Sequence, residues 1–185
     1  KPVTTLQEAP VDARLQLHYA LQFATALGIS YLPAQPDDSH TNLGWDRTLD
    51  ALVSRAAPAA KQGVAIAVRP ADLTLLVLAG AEPGFTLALH TMTVSETAEK
   101  LRAALGDAGL DGSRYTLKRH YDLPAHPVAA GAQFDASAHP QFAFLAHWLA
   151  NPPPEPDPPP PPPPSTSPLR PRPPPPPPPL PPPAP

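Results

Sequence analysis

The densest group of side chains able to do chemistry is Asp37-Asp38-Ser39-His40, inside a polar stretch from Ala34 to Asn42. Two carboxylates and an imidazole within four residues can hold a hard or borderline divalent cation or divide acid and base work. Asp37 and His40 are the candidate metal ligands, and Asp37, Asp38 and His40 the candidate acid and base groups. A second, distant group is His120, Asp122 and His126, of which His126 joins the candidate acid and base groups. The spacing matches no helical His-Glu-x-x-His pattern. Pro-Asp-Asp-Ser is also a turn sequence, in which the side chains bond their own backbone, and that turn is the expectation. Trp45 and Asp46 can wall a small pocket beside His40, since pockets join an aromatic surface to a few polar groups; the alternative is a tryptophan at the core or a sheet edge.

Other chemistries lack a complete motif. Ser39 and Ser54 are hydroxyls without a Gly-x-Ser-x-Gly elbow. Gly106-Asp107-Ala108-Gly109 follows a helical pattern instead of opening one, so it is no phosphate loop. The 185 residues include no cysteine, which excludes a disulfide frame, a thiolate metal site and a thiol nucleophile. The net charge is −3, and Lys and Arg are scattered singly. A nucleic-acid binder carries a basic stripe instead. No run approaches the roughly 20 apolar residues of a membrane span, and no signal-peptide pattern follows Lys1. A soluble, cytoplasmic body is the expectation, with further chain upstream because the sequence opens on Lys1 rather than Met.

The elements that must position these residues centre on Gly63 to Thr91. Val64, Ile66 and Val68 alternate with alanines, Leu73 to Leu78 is a continuous apolar run, and Phe85, Leu87 and Leu89 alternate again. Arg69-Pro70-Ala71-Asp72 and Gly80 to Gly84 separate the three runs, short breaks that favour an antiparallel meander. Its six alternating apolar side chains contribute on the order of 10 kcal/mol on burial. Ordering the backbone costs about 1–2 kcal/mol per residue. Helices must therefore cover one face.

Asp12 is placed to cap a first helix running to about Leu27, with Leu17, Leu21, Ala24 and Leu27 at helical spacing and Gly28 as its stop. His18 and Gln22 lie on its flank. Leu43 to Arg47 reads as a strand or strand edge. Leu49 to Ala56 has apolar positions that suit a helix, with a fourth strand as the alternative. Thr93-Val94-Ser95-Glu96 is a capping box before Ala98, Leu101, Ala104 and Leu105, and Gly106 and Gly109 end that helix. Tyr115 to Arg119 reads as a short strand. Before Pro124 and Pro127 the chain is held extended. Phe142, Leu145, Trp148 and Leu149 face one side of a last helix opened by Pro140.

From Pro152 on, proline excludes both helix and ladder and leaves polyproline II. The expected organisation is a flexible segment at 1–10, one α+β domain at 11–150 and a disordered proline-rich tail at 151–185. Arg170, Pro173 and Pro176 have the Arg-x-x-Pro-x-x-Pro spacing of an SH3-type ligand, with Arg172 beside them, and Leu180 within Pro178-Pro179-Leu180-Pro181 suits a WW-type groove. A preformed polyproline helix loses little entropy on docking. Proline abundance also creates such spacings by itself, as in an unread spacer or in a GC-rich gene read in a shifted frame; sequencing across the codons for Asn151 and Pro152 decides the last of these.

The order of parts, from Leu17-His18-Tyr19-Ala20-Leu21-Gln22 through Pro36-Asp37-Asp38-Ser39-His40, the meander and Ser95-Glu96-Thr97-Ala98-Glu99-Lys100-Leu101 to Tyr121-Asp122-Leu123-Pro124, resembles a family of uncharacterised bacterial domains of unknown function. The resemblance covers about residues 15–148 and implies no activity. It also implies a second aromatic and His-rich segment after the last helix, where this chain has proline. The functional expectation is a non-catalytic binding or scaffold module. The alternative is a small metal-dependent or acid-base enzyme using the Asp37-Asp38-Ser39-His40 loop.

Overall fold

The meander expected at 63–91 supplies the last three strands of a five-stranded antiparallel sheet whose strands neighbour one another in sequence order. The computed structural model describes residues 10–118 and 121–152, all within one compact unit. The strands are β1 (Leu43–Asp46), β2 (Ala51–Ser54), β3 (Val64–Arg69), β4 (Thr74–Ala79) and β5 (Glu82–Ala88). Three helices, α1 (Val11–Tyr31), α2 (Val94–Asp107) and α3 (His139–Ala150), complete the α+β fold. The tail residues Arg170, Arg172, Pro173, Pro176 and Leu180, and also His120, lie outside the described residues.

Register explains the two-sided burial of β3 and β4. Ile66 pairs with Val77 and Val68 with Leu75, and these side chains join Leu17, Phe23 and Leu27 of α1 in the main core. Ala67 pairs with Leu76 and Ala65 with Leu78 on the opposite face, where with Ala51 they form a smaller cluster under Leu49 and Val53. α1 lies against β2 and β3, and α2 against β4.

β2 replaces the helix expected over Leu49 to Ala56. The reason is the tight connection from β1. Asp46 accepts hydrogen bonds from the N–H groups of Thr48 and Leu49 at 2.8 and 3.0 Å, and Asp50 takes a positive φ of 47°. The chain then turns straight back, and Trp45 pairs with Leu52. The β2–β3 ladder is only two residue pairs long. Beyond it, the buried Ser54 hydroxyl accepts from Ile66 N–H at 3.0 Å and donates to the Arg55 carbonyl. β5 begins at Glu82, earlier than expected, with Pro83 inside it. An edge strand tolerates this because one side of its backbone needs no ladder partner.

α1 extends past Gly28 to Tyr31. Gly28 lies inside the helix, and what requires glycine there is contact, since a Cβ would run into the carbonyl of His40. Termination comes from Pro33, which holds Leu32 extended (φ −99°, ψ 150°). Asp12 is not the cap either: Pro10 precedes the helix, with no side-chain capping bond. The capping box of α2 is present, with Thr93 accepting from Glu96 N–H and Glu96 from Thr93 N–H. At its other end Gly109 (φ 99°) and the bonds Leu110 N–H to Leu105 O and Gly109 N–H to Gly106 O form a Schellman closure.

Tyr115 to Lys118 forms no strand. This segment runs against α1 instead of a sheet edge. Tyr115 is buried and donates its hydroxyl to the Phe23 carbonyl at 2.7 Å, and Thr116 N–H donates to Ser30 Oγ at 3.0 Å. The extended 121–126 segment leads to a 3-10 turn at Pro127–Ala130, and Phe134 forms a parallel bridge with His90 before α3 begins.

Candidate functional site

The expected polar loop is a turn followed by a single 3-10 turn, Ser39–Thr41. Asp37 accepts from Ser39 N–H at 3.1 Å, and this bond holds the exposed Asp37 carboxyl below its ordinary value. Asp38 takes a left-handed conformation (φ 56°), and its carbonyl accepts from the N–H and hydroxyl of Thr41. His40 is buried, 8% exposed, and its Nδ1 accepts from Gln35 N–H at 3.2 Å. These bonds are the ones that a turn requires. A depression beside the loop is lined by Ser39, Asn42, Gly44, Val53 and Arg55, without Trp45 or His40. Asp46 is spent on the β1–β2 turn.

His126 does not join that loop. Its Nε2 lies 3.0 Å from Asp12 Oδ1 at the first turn of α1, while the loop packs by Gly28 near the last turn, roughly 24 Å away at the helical rise. Val128 N–H donates to His126 Nδ1, so Nε2 carries the proton and donates to Asp12. Both ring nitrogens are thus occupied by bonds within the chain. Gln16 is buried on the same side, donating to Asp12 Oδ2 at 2.7 Å and accepting from Asp135 N–H at 2.7 Å. The hydrogen bonds from His126 and then Gln16 lower the Asp12 carboxyl from its ordinary value. This network ties the 124–136 segment to α1. Among the described residues no three His, Asp or Glu side chains are grouped so as to hold a metal ion.

The concave surface with binding character is elsewhere, between α1 and α3. A cavity of about 410 Å³ is lined by Val11, Arg14, Leu15, Leu17, His18, Leu21, Pro124, Leu145 and Leu149. α1 carries two apolar faces. Ala13, Leu17, Ala20, Ala24 and Leu27 are buried in the core, whereas Val11, Leu15 and Leu21 line the cavity and keep exposed surface. α3 supplies Leu145 and Leu149 one turn apart, and the extended segment supplies Pro124, fixed by Tyr19 donating its hydroxyl to the Pro124 carbonyl at 2.8 Å. Arg14 is the cation of this wall, and its Nε is buried with no hydrogen-bond partner. The expected α1 stripe covers the core face alone, and Arg14 is not among the candidate residues. The available signal was Val11 and Leu15 standing off the sheet-facing stripe, whereas Leu21, expected within that stripe, borders both core and cavity.

The chain matches no family model, no curated protein and no solved structure. Among the described residues no helix is long and apolar enough to cross a membrane. Fold and site therefore define an α+β domain with a helical layer over an antiparallel meander, and its functional reading rests on its own geometry.

Proposed function

We propose that the protein is a non-catalytic binding module whose recognition surface is the groove between α1 and α3. The observation that carries this reading is the cavity itself: about 410 Å³ with an apolar lining and few polar groups, which is the size and character of small-molecule sites. The competing reading, a metal-dependent or acid-base enzyme on Asp37, Asp38 and His40, draws less support. There the bonds of Asp37 to Ser39 and of His40 to Gln35 serve the loop's own backbone.

A thermal-shift screen of the full chain against metals and metabolites tests the proposal, since a ligand that binds only the folded state raises the melting temperature. Stabilising compounds are expected to be apolar or amphipathic, and to lose their effect in Val11→Asp. Val11 is 59% exposed, so the change alters the groove wall and leaves the core intact. Stabilisation by metals alone, unaffected by Val11→Asp, would move the site to the loop.

A further inference from the structure

We infer that the outer edge of β5 pairs antiparallel with the same edge of a second copy of this chain, joining two five-stranded sheets across a twofold axis at Thr86. The inference is independent of the groove reading.

The backbone of β5 carries it. Leu89 N–H donates to the Leu73 carbonyl at 3.0 Å, and in an antiparallel ladder every second residue turns its N–H and C=O to the same side. Leu87 and Phe85, paired with Leu75 and Val77, therefore bond β4, whereas Thr86 and Ala88 turn their backbone groups outward. Both residues are exposed, and among the described residues no backbone bond from outside the sheet reaches them. Another extended strand is the complement of such a row. Sheet edges are ordinarily blunted by a short strand, charge or proline. β1, the opposite edge, is four residues long and ends on Asp46. On β5 the proline stands at 83, before the bulge, and Phe85 to Leu89 carries neither charge nor proline.

The same stretch is complementary to itself, which selects a second copy over an unrelated peptide. With Thr86 opposite Thr86 of the second copy, Phe85 faces Leu87 of the second copy and Leu87 faces its Phe85, and no like charges meet. Phe85 and Leu87 are half-buried at the rim of the main core, because α2 lies against β4 rather than over the edge. A cavity of about 190 Å³ lined by Val77, Phe85, Ala104 and Ala108 marks the same corner as incompletely filled. A strand added there covers both side chains. The contact is isologous and closes on itself, so it yields a dimer and not a fibre.

Sedimentation of the full chain from about 1 to 500 μM tests the pairing, a range that suits a small interface. A dimer that grows with concentration is expected, with amide exchange at Thr86 and Ala88 slowing as it forms. Thr86→Lys and Thr86→Glu alter an exposed side chain and should each weaken the dimer about fivefold, by setting like charges opposite one another. An equimolar mixture of the two variants should recover it, which separates lost pairing from lost fold. Val11→Asp should leave the dimer unchanged. A monomer at every concentration overturns the inference. A dimer that both Thr86 variants leave intact, or that their mixture fails to recover, also overturns it. A dimer split by Val11→Asp instead would belong to the groove and overturn it too.

Discussion

Asp12 Oδ1 and His126 Nε2 lie 3.0 Å apart although 114 residues separate them in the chain. The pair closes the 124–136 segment onto the first turn of α1, and the same segment supplies the Pro124 wall of the groove. His126 is a positioning residue in this arrangement: its side chain is 8% exposed, whereas that of Asp12 is 68% exposed.

The pair gives a pH prediction. The folded Asp12 carboxyl is lowered from the ordinary 3.8, first by the His126 hydrogen bond and then by Gln16. The associated stability is complete above the unfolded value and is lost as pH falls through the lowered folded value. Asp12→Asn should therefore destabilise the chain at neutral pH by at most about 1 kcal/mol, given its exposure. The difference from wild type should vanish as pH falls below 4 and through the lowered value. A difference that instead grows on acidification in urea titrations would refute the assignment.

Gly28 and Gly106 make a paired test. Both are helical, but an added Cβ at Gly28 meets the His40 carbonyl, whereas at Gly106 it meets nothing within 4 Å. Gly106→Ala should stabilise by up to about 1 kcal/mol through helix propensity. Gly28→Ala should destabilise by about 1–3 kcal/mol, because backbone must move. Chemical denaturation reads both, and equal effects at the two sites would mean that the loop does not pack on the helix as described.

These glycines show what the sequence makes legible. The alternation of Val64, Ile66 and Val68 and the capping box at Thr93 are local signals, and both elements stand where they direct. Gly28 carries the same letter as a helix stop, yet its reason is contact with His40, which no local pattern records. Over Leu49 to Ala56 the strand alternative holds and the helix does not, for a related reason: a four-residue strand is too short for periodicity, and the Asp46 turn decides it. Tyr115 has a strand-former's side chain, but a buried carbonyl acceptor on α1 claims its hydroxyl. The groove was hidden because α1 is apolar on two faces, and spacing alone does not tell which face the sheet takes.

The polar loop gives the next expectation. His40→Ala should cost about 1–3 kcal/mol, since it strips the buried acceptor from Gln35 N–H and empties a packed position. Asp37→Ala should lower stability slightly through loss of the Ser39 bond, and Asp38→Gly should be tolerated because its φ is already positive. Zinc and manganese should leave all of these melting curves unmoved. Binding of either ion near one equivalent, lost in His40→Ala, would revive the enzyme reading.

Ser54→Ala tests the short β2–β3 ladder. The substitution is nearly isosteric but leaves Ile66 N–H buried without its acceptor. A loss of about 1–3 kcal/mol is expected. Ser54→Thr, which keeps the hydroxyl, should recover part of it, and amide exchange at Ile66 should quicken in the alanine variant alone.

Recognition between α1 and α3 is tested by mapping backbone amide shifts of the isotopically labelled full chain during titration with an apolar compound that raises its melting temperature. The perturbed amides are expected to cluster at 11–21, around Pro124 and at 145–149, and Val11→Asp to suppress them together. Perturbations confined to 35–42, or scattered with no cluster on the two helices, would contradict it.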